Sequence, residues 1–323
     1  MEKHRVSICI PTCNRLAFLK EAIDSCLSQR LLPYEIIIGD DSENKDTEHF
    51  VNSINIKSSV NIKYQHNQPP LGQAENVNSI FDRVQGDKIV LLHDDDLLMP
   101  DALKLLSKCF KRNPTITAAF GKQYIISSKG EIDFTSSEGL NKSYFRISEN
   151  EGTKILPFNS GLLQQFPNDC YMVDALAAKN IRYRNKKEVG NACDFDFGFR
   201  LGKASEKFYF INRYTAKYRL SESSIGRGGI DDAAYFSYKI VEESQNFPKE
   251  SLVLKDNFLK KNIHSAIIQA ALNDKKKSAI RLFFKNFFML FSPPLKGIKL
   301  FIFIIIYSML SSRAFIKLGT SFK

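Results

Sequence analysis

The stretch "IVLLHDDDLLMP", residues 89–100, begins as a buried β-strand and then places three aspartates side by side. Adjacent carboxylates repel one another, and they are poorly solvated at the end of a buried strand. Such a run is stable only beside a cation or a set of hydrogen-bond donors. The stretch therefore predicts a strand that delivers negative charge to a binding site.

Strands and helices alternate on both sides of this stretch. The continuous apolar run "VSICI" at 6–10 is typical of a strand in a parallel sheet, and apolar residues at helical spacing follow it. "EIIIG" at 35–39 and "NIKYQHN" at 61–67 predict two more strands, and the strand at 88–92 is followed by a helix that we expect Pro100 to open. This alternation predicts an α/β fold with a mostly parallel central sheet flanked by helices.

Three of the predicted strands end in polar residues: "PTCN" at 11–14, "DDS" at 40–42 and "HDDD" at 93–96. Ligands of such sheets bind beyond the carboxyl ends of the strands, so we expect a site where these residues meet. Structural alternatives remain open, because Asp40 and Asp41 could form an Asx-turn and Asp96 could cap the following helix.

A glycine-rich phosphate loop is absent after the first strand, since no glycine lies between Pro11 and Ile38. This excludes a dinucleotide-binding fingerprint or a P-loop at that position. A metal held by carboxylates is the alternative way to bind a diphosphate, and Mg²⁺ and Mn²⁺ both prefer oxygen ligands. We therefore predict a divalent metal cofactor, Mn or Mg.

The net charge of +11 is confined to the C-terminal fifth of the chain. Residues 1–256 hold 34 basic and 34 acidic side chains, whereas residues 257–323 hold 12 basic and one acidic. A neutral body with a basic tail argues against a nucleic-acid-binding face. Six cysteines without a C-x-x-C pair, and an N-terminus that enters a strand directly, predict a reduced cytoplasmic protein without a signal peptide.

Residues 226–323 are predicted to form a helical C-terminal region. Its longest uncharged run, 300–312, is shorter than the roughly 20 residues that span a bilayer. Its Phe-rich and Ile-rich segments are interrupted by basic residues, which favours helices lying at an anionic membrane surface on the inner face of the membrane. The alternative is that the same apolar residues pack on the catalytic domain.

Five segments together resemble the family 2 glycosyltransferases of the GT-A fold, over roughly residues 5–220. They are "VSICIPTCNR" (6–15), "EIIIGDDSENKDT" (35–47), "LGQAENVN" (71–78), "LLHDDDLLMPDAL" (91–103) and "GNACDFDFGFRL" (190–201). The resemblance implies a GT-A domain over 1–225, with a nucleotide-binding half at about 1–120 and an acceptor half at about 121–225. It implies inverting transfer of a sugar from a nucleotide-diphosphate donor, a UDP-sugar being favoured, to a glycan or lipid-linked glycan in cell-surface polysaccharide synthesis.

The resemblance also assigns the nucleotide contacts. It implies that the turn containing Pro11, Thr12, Asn14 and Arg15 faces the nucleotide base, together with Asp41 as an acidic contact to a uracil-type ring.

The remaining assignments concern the metal and the chemistry. The resemblance implies that Asp94 lies near the ribose, that Asp95 binds the metal and that Asp194 is the catalytic base, with Asp196 as the alternative base. Any role of the "YRLSESS" segment in holding the diphosphate would fall to Arg219 or the serines. Two other classes stay open, a metal-dependent nucleotidyl- or phosphotransferase and a non-catalytic carbohydrate- or membrane-binding protein.

Overall fold

The computed structural model describes residues 4–55, 58–220, 231–287 and 302. The chain divides into two compact units, one formed by residues 1–185 and 193–221 and the other by residues 186–192 and 222–323. The predicted boundary at about residue 225 between a GT-A domain and a helical C-terminal region stays a prediction.

A single sheet forms the centre of the first unit. Its strands are β1 (Val6–Thr12), β2 (Glu35–Asp40), β3 (Asn61–His66), β4 (Lys88–Leu91), β5 (Leu97–Leu98), β6 (Ala118–Ile126), β7 (Ile132–Asp133), β8 (Met172–Asp174) and β9 (Phe208–Arg219). Their order is β3-β2-β1-β4-β8-β6-β9-β5, with β7 attached to β6. β1, β2, β3 and β4 pair with one another in parallel, and β6 is parallel to β9, whereas β8 is antiparallel to β4 and β6, and β5 is antiparallel to β9. The predicted mostly parallel α/β sheet is confirmed.

Helices of the first unit flank this sheet. They are α1 (Leu16–Leu27), α2 (Asp46–Asn55), α3 (Gln73–Asp82), α4 (Ala102–Arg112), α5 (Phe134–Ser143), α6 (Pro157–Leu162), α7 (Ala175–Ile181) and α9 (Cys193–Ala204). The second unit contains α8 (Lys186–Val189), α10 (Ala233–Glu243), α11 (Leu252–Leu272) and α12 (Lys276–Lys285). Short 3₁₀ turns lie at Ser148–Asn150 and Lys249–Ser251.

The apolar pattern of the N-terminal half explains its elements. β1, β2 and β4 are buried on both faces, as continuous apolar strands of a parallel sheet should be. α1 buries Leu19, Ile23 and Cys26, which lie at the helical spacing read from the sequence. At the end of β2, a Cβ on Gly39 would lie 2.1 Å from Asn76 Oδ1 of α3, so only glycine permits this close approach.

Several predicted details are wrong. α4 begins at Ala102, after an N-cap at Asp101, because the residues after Asp96 first form β5 and pair with β9. Pro100 therefore precedes the helix, and Asp96 lies in a turn far from its first residue. The stretch 121–190 contains most of β6 and the helix α5.

The described part of the second unit is helical, as predicted for the chain beyond Gly226. α10 packs on α11, and α11 packs on α12. Among the described residues, no helix combines the length and apolar composition needed to cross a membrane. The predicted membrane-surface residues beyond 287 lie, apart from Ile302, outside the described residues.

Candidate active site

The predicted meeting point of the strand ends forms at the carboxyl edge of the sheet. Thr12, the last residue of β1, pairs in register with Asp40, and its hydroxyl donates to Asp94 Oδ2 at 2.8 Å. The chain turns at Asn14, whose φ of 56° is left-handed and whose N–H donates to Ser42 Oγ at 2.8 Å. Hydrogen bonds thus join the ends of all three strands.

Arg15 supplies the positive charge that the three aspartates require. Its Nη1 lies 2.9 Å from Asp95 Oδ2 and 3.4 Å from Asp94 Oδ1, and both carboxylates are almost buried. Burial, reinforced by the charge of Asp95, raises the pKa of Asp94 from 3.8 to about 6 despite the hydrogen bond from Thr12. Arg15 therefore offsets part of the negative charge of Asp94 and Asp95.

Asp41 fixes a loop beside this cluster. Its Oδ1 accepts from Asn67 Nδ2 at 2.9 Å and from the Leu71 N–H at 3.0 Å, while its Oδ2 accepts from the Gly72 N–H at 2.8 Å. Gly72 has φ +82°, which suits glycine, and it precedes the first residue of α3. A carboxylate can accept about four hydrogen bonds, so Asp41 retains capacity on Oδ2.

Arg219 stabilises the turn that contains the three aspartates. Its N–H donates to Asp96 Oδ1 at 2.7 Å and its Nε donates to the Asp95 carbonyl at 2.8 Å. The guanidinium also bonds to Glu21 and to the carbonyls of Ser127 and Ser128, and the side chain is fully buried. Arg219 thus stabilises the turn and is not placed to hold a diphosphate. The serines of "YRLSESS" lie outside the described residues.

A second group of possible metal ligands lies next to the aspartate run. One ligand atom each of His93, Asp96 and Asp169 lies within 4.8 Å of the others, and Asp96 Oδ2 is buried without a hydrogen-bond partner. Burial and the charge of Asp169 raise the pKa of Asp96 well above its usual value. Burial alone would lower the pKa of His93, but the charges of Asp169 and Asp194 and of the other nearby aspartates raise it.

Asp169 was not predicted from the sequence. It lies just before β8, and β8 pairs with β4, so the sheet brings it beside a residue 76 positions earlier. Its Oδ2 accepts from the His93 N–H at 3.1 Å. A polar residue next to a short apolar run was the only signal, and such a signal is common.

Asp194, at the start of α9, has one open carboxylate oxygen. Its Oδ2 accepts from Gln73 Nε2 at 3.3 Å, whereas its buried Oδ1 has no hydrogen-bond partner and lies 3.9 Å from His93 Nε2. Burial raises the pKa of Asp194, an effect that the charge of His93 opposes. Asp194 thus combines a raised pKa with a buried oxygen, Oδ1, that has no hydrogen-bond partner.

Asp196 has the opposite environment. It is fully buried, its Oδ2 accepts from Arg184 Nε at 2.9 Å and from Arg200 Nε at 2.8 Å, and its Oδ1 contacts Arg184 Nη2. Both oxygens are therefore engaged in ion pairs that tie α9 to the preceding segment.

Comparison with known proteins identifies the family. The family model described as "Glycosyl transferase family 2" matches residues 7–168, half of the chain. An uncharacterized glycosyltransferase of Haemophilus influenzae is 30% identical over 230 residues, which cover 71% of this chain and 85% of that protein. The chain is a family 2 glycosyltransferase.

Relatives and solved structures extend this assignment. The glycosyltransferase is 26% identical over 287 residues to the GalNAc(5)-diNAcBac-PP-undecaprenol beta-1,3-glucosyltransferase of Campylobacter jejuni, covering 88% of this chain and 87% of that one. The mannosyltransferase PcManGT of Pyrobaculum calidifontis, solved with GDP-Man and Mn²⁺, superposes with a TM-score of 0.61 at 13% identity, over 96% of this chain and 87% of that chain. TarS of S. aureus, solved with UDP-GlcNAc, gives 0.61 at 14% identity, over 80% and 72%. The GT-A fold is confirmed.

The structure brings some of the predicted site residues together and leaves others apart. Thr12, Arg15, Asp94 and Asp95 share one hydrogen-bonded cluster. Pro11 lies within β1 opposite Gly39 and not in the turn, which comprises only residues 13–15.

Proposed function

We propose that this glycosyltransferase transfers a sugar from a nucleotide-diphosphate donor to an acceptor hydroxyl with inversion at the anomeric carbon. The observation that supports this most directly is the open Oδ1 of Asp194, a buried carboxylate oxygen without a hydrogen-bond partner. An acceptor hydroxyl has a pKa far above 7, so a positioned carboxylate must take its proton as it attacks. The raised pKa of Asp194 strengthens it as a proton acceptor.

In this mechanism the acceptor oxygen attacks the anomeric carbon while its proton passes to Asp194 Oδ1. The bond between that carbon and the donor phosphate oxygen breaks, and the nucleoside diphosphate leaves with the electron pair. Gln73 donates to Asp194 Oδ2, and Oδ1 has no hydrogen-bond partner. Asp196 is a poor alternative base because arginines occupy both of its oxygens.

The donor nucleotide is proposed to lie over the ends of β1 and β2, with UDP favoured. Asp41 Oδ2 has capacity to accept an N–H from a uracil-type ring, and the turn from Pro11 through Thr12 and Asn14 to Arg15 would border the base. Asp94 would approach the ribose. Arg15, which bonds both aspartates, could then also face a phosphate.

A divalent metal, Mn or Mg, is proposed to complete this site. Asp95 would bind it once Arg15 releases Oδ2, and His93, Asp96 and Asp169 offer further ligands nearby. The buried, unpartnered Asp96 Oδ2 fits a cation in this region. A bound metal would neutralise the charge of the departing diphosphate.

Calorimetric binding of UDP, GDP, dTDP and CMP, each with and without Mn²⁺, tests the donor and metal proposals. We expect one nucleoside diphosphate to bind in a metal-dependent way in the wild type and to lose that dependence in Asp95→Ala. Asp169→Asn is measured in parallel: an unchanged metal dependence in this variant shows that Asp169 is not a required ligand. Folded wild-type protein that binds none of the four would contradict the proposal.

The acceptor is proposed to be a lipid-linked glycan, reached by a protein bound at the inner face of the membrane. The Campylobacter relative is named for an undecaprenol-linked acceptor. In the second unit, Ile280, Phe284 and Phe287 are exposed at helical spacing on and just after α12, which carries basic and no acidic residues. An exposed apolar stripe with basic neighbours suits an anionic lipid surface.

Flotation of the full chain with phosphatidylglycerol-containing vesicles tests the membrane proposal. Phe284→Glu should reduce the bound fraction, and added salt should reduce it further because surface attraction is screened. Leu176→Glu is the matched control, since Leu176 is equally exposed but lies on α7 of the first unit. Equal loss in both variants, or binding that ignores salt and Phe284, would contradict it.

A further inference from the structure

A pocket in the first unit adjoins the candidate active site and shares Asp169 with it. Its wall includes Tyr144, Arg146, Gln164, Asn168 and Tyr218. Asp169, the neighbour of His93, also lines it, so the pocket opens next to the proposed catalytic groups. Of these lining residues, Asn168 is exposed, whereas Arg146 is only 3% exposed.

Arg146 is a buried cation bonded only to neutral groups. Its Nε donates to the Gln165 carbonyl at 2.9 Å, its Nη1 to Gln123 Oε1 at 2.8 Å and its Nη2 to the Gln164 carbonyl at 3.3 Å. No carboxylate of the described residues lies within 4.0 Å of the guanidinium. Arginine has five N–H donors, so two remain without a protein acceptor in the described chain.

This arrangement is unusual, because buried charges are normally paired with an opposite charge. Burial lowers the pKa of Arg146 to about 10, which still leaves the side chain charged at neutral pH. Two unused donors on a buried cation that lines an open pocket indicate a place for an anionic group of a ligand.

The other groups that line the pocket indicate the chemical class of its ligand. Tyr144 lies beside Arg146 with its ring 5.4 Å from the guanidinium carbon, and Tyr218 adds a second ring. The amides of Gln164 and Asn168 can both donate and accept, as sugar hydroxyls require. Gln123 links the two charged groups, since its Oε1 faces Arg146 and its Nε2 donates to Asp169 at 3.4 Å. The nearby Asp169 disfavours a dianionic phosphate more than a singly charged carboxylate.

We propose that this pocket binds a sugar residue of the substrate that carries a carboxylate, with Arg146 as the carboxylate contact. The inference rests on the proposed function, since it names the class of sugar that the transferase recognises. The ring would lie against Tyr144 and Tyr218, with its hydroxyls on Asn168 and Gln164. A neutral hexose would fill the same space but leave Arg146 without a counter-ion.

Ligand-observed NMR titration of the full chain tests this with methyl glucuronoside, methyl glucoside and glucose 1-phosphate. The wild type should bind the glucuronoside at least about tenfold more tightly than the glucoside, as a charge-assisted hydrogen bond allows, and more tightly than the phosphate. Equal affinities, a preference for the phosphate, or no glucuronoside binding at millimolar concentrations would overturn the proposal.

Substitutions test whether Arg146 causes the preference for the glucuronoside. Arg146→Gln should abolish it and Arg146→Lys should retain part of it, whereas Arg182→Gln is the control, because Arg182 is exposed and pairs with Asp82 on another surface. If the Arg146 variants fail to fold, the comparison of the three ligands in the wild type still tests the preference for a carboxylate. Asn168→Ala, which should weaken the binding of both glycosides alike, then tests whether they bind in this pocket. Binding of UDP and Mn²⁺ is measured in the same samples, so that failure of this inference can be distinguished from failure of the proposed function. Nucleotide binding without a preference for the glucuronoside refutes only this inference.

Discussion

Two carboxylates two residues apart on α9 lie in opposite surroundings. Asp196 is enclosed by Arg184 and Arg200, and both of its oxygens are engaged. Asp194 faces His93 and Gln73, keeps one oxygen without a partner and has a raised pKa because it is buried. We propose that the paired carboxylate of Asp196 holds α9 in place and that the unpaired oxygen of Asp194 accepts the proton. Residue type and position on the helix do not distinguish the roles that we propose for Asp194 and Asp196. The side chains that face each carboxylate do.

The largest expected effect is that of Asp194→Asn. Turnover should fall by about 10²- to 10⁴-fold, because asparagine cannot accept the acceptor proton. The melting temperature should stay level or rise, since the change removes a buried charge that lacks a full set of partners. A loss of stability with activity per folded molecule intact would reverse the roles assigned to the two aspartates.

Asp196→Asn should show the complementary pattern. Removing the charge leaves two arginines without their buried partner, and we expect a loss of about 3 kcal/mol in the free energy of unfolding. Urea denaturation measures this loss. Activity per folded molecule should change little at a temperature where the variant remains folded. A large drop in turnover of fully folded Asp196→Asn would indicate that it also takes part in the chemistry.

A third variant extends the comparison to the strand ends. The pKa of Asp94 is about 6 in the folded protein and 3.8 as an ordinary value, so the folded state binds its proton more tightly and loses stability as the pH rises from about 4 to 6. Asp94→Asn should therefore stabilise the metal-free protein at pH 7 by about 1 to 3 kcal/mol.

Denaturation at several pH values tests whether Asp94→Asn raises the free energy of unfolding. The stability difference between Asp94→Asn and the wild type should shrink towards zero near pH 4, where Asp94 is protonated in both states. A difference that is constant with pH, or a destabilised variant at pH 7, would show that Asp94 is stabilised by Arg15 more than it is penalised by burial.

The smallest effect concerns Gln73. Because its amide donates to the charged form of Asp194, it lowers the pKa of that carboxyl. The acidic limb of kcat/KM reports a base that must be deprotonated, so Gln73→Ala should move it upward by about half a pH unit. Gln73→Glu, which replaces the donor by a second carboxylate, should move it further in the same direction. A pH profile identical in all three proteins would dissociate Asp194 from the titrating base.

Local patterns were enough to predict the N-terminal half of the fold. The apolar runs at 6–10 and 35–39 predicted β1 and β2, and the helical spacing of Leu19 and Ile23 predicted α1, because these side chains are buried. β9 was missed because polar residues interrupt it, and its pairing with β6 is irregular and distant in sequence.

The candidate site was predictable only where its residues lie at strand ends. Thr12, Arg15, Asp94 and Asp95 meet because parallel strands end at one edge. The partners of Asp196, the approach of Asp169 to His93 and the bracing by Arg219 depend on contacts between distant segments, and no local pattern encodes them.

The most direct test of the account is proton NMR of the reaction of wild-type protein with a panel of α-linked nucleotide sugars, Mn²⁺ and a membrane extract as acceptor source. We expect a product with an inverted, β-configured anomeric centre and a nucleoside diphosphate as the released nucleotide. A retained configuration, or release of a nucleoside monophosphate together with a sugar phosphate, would contradict it.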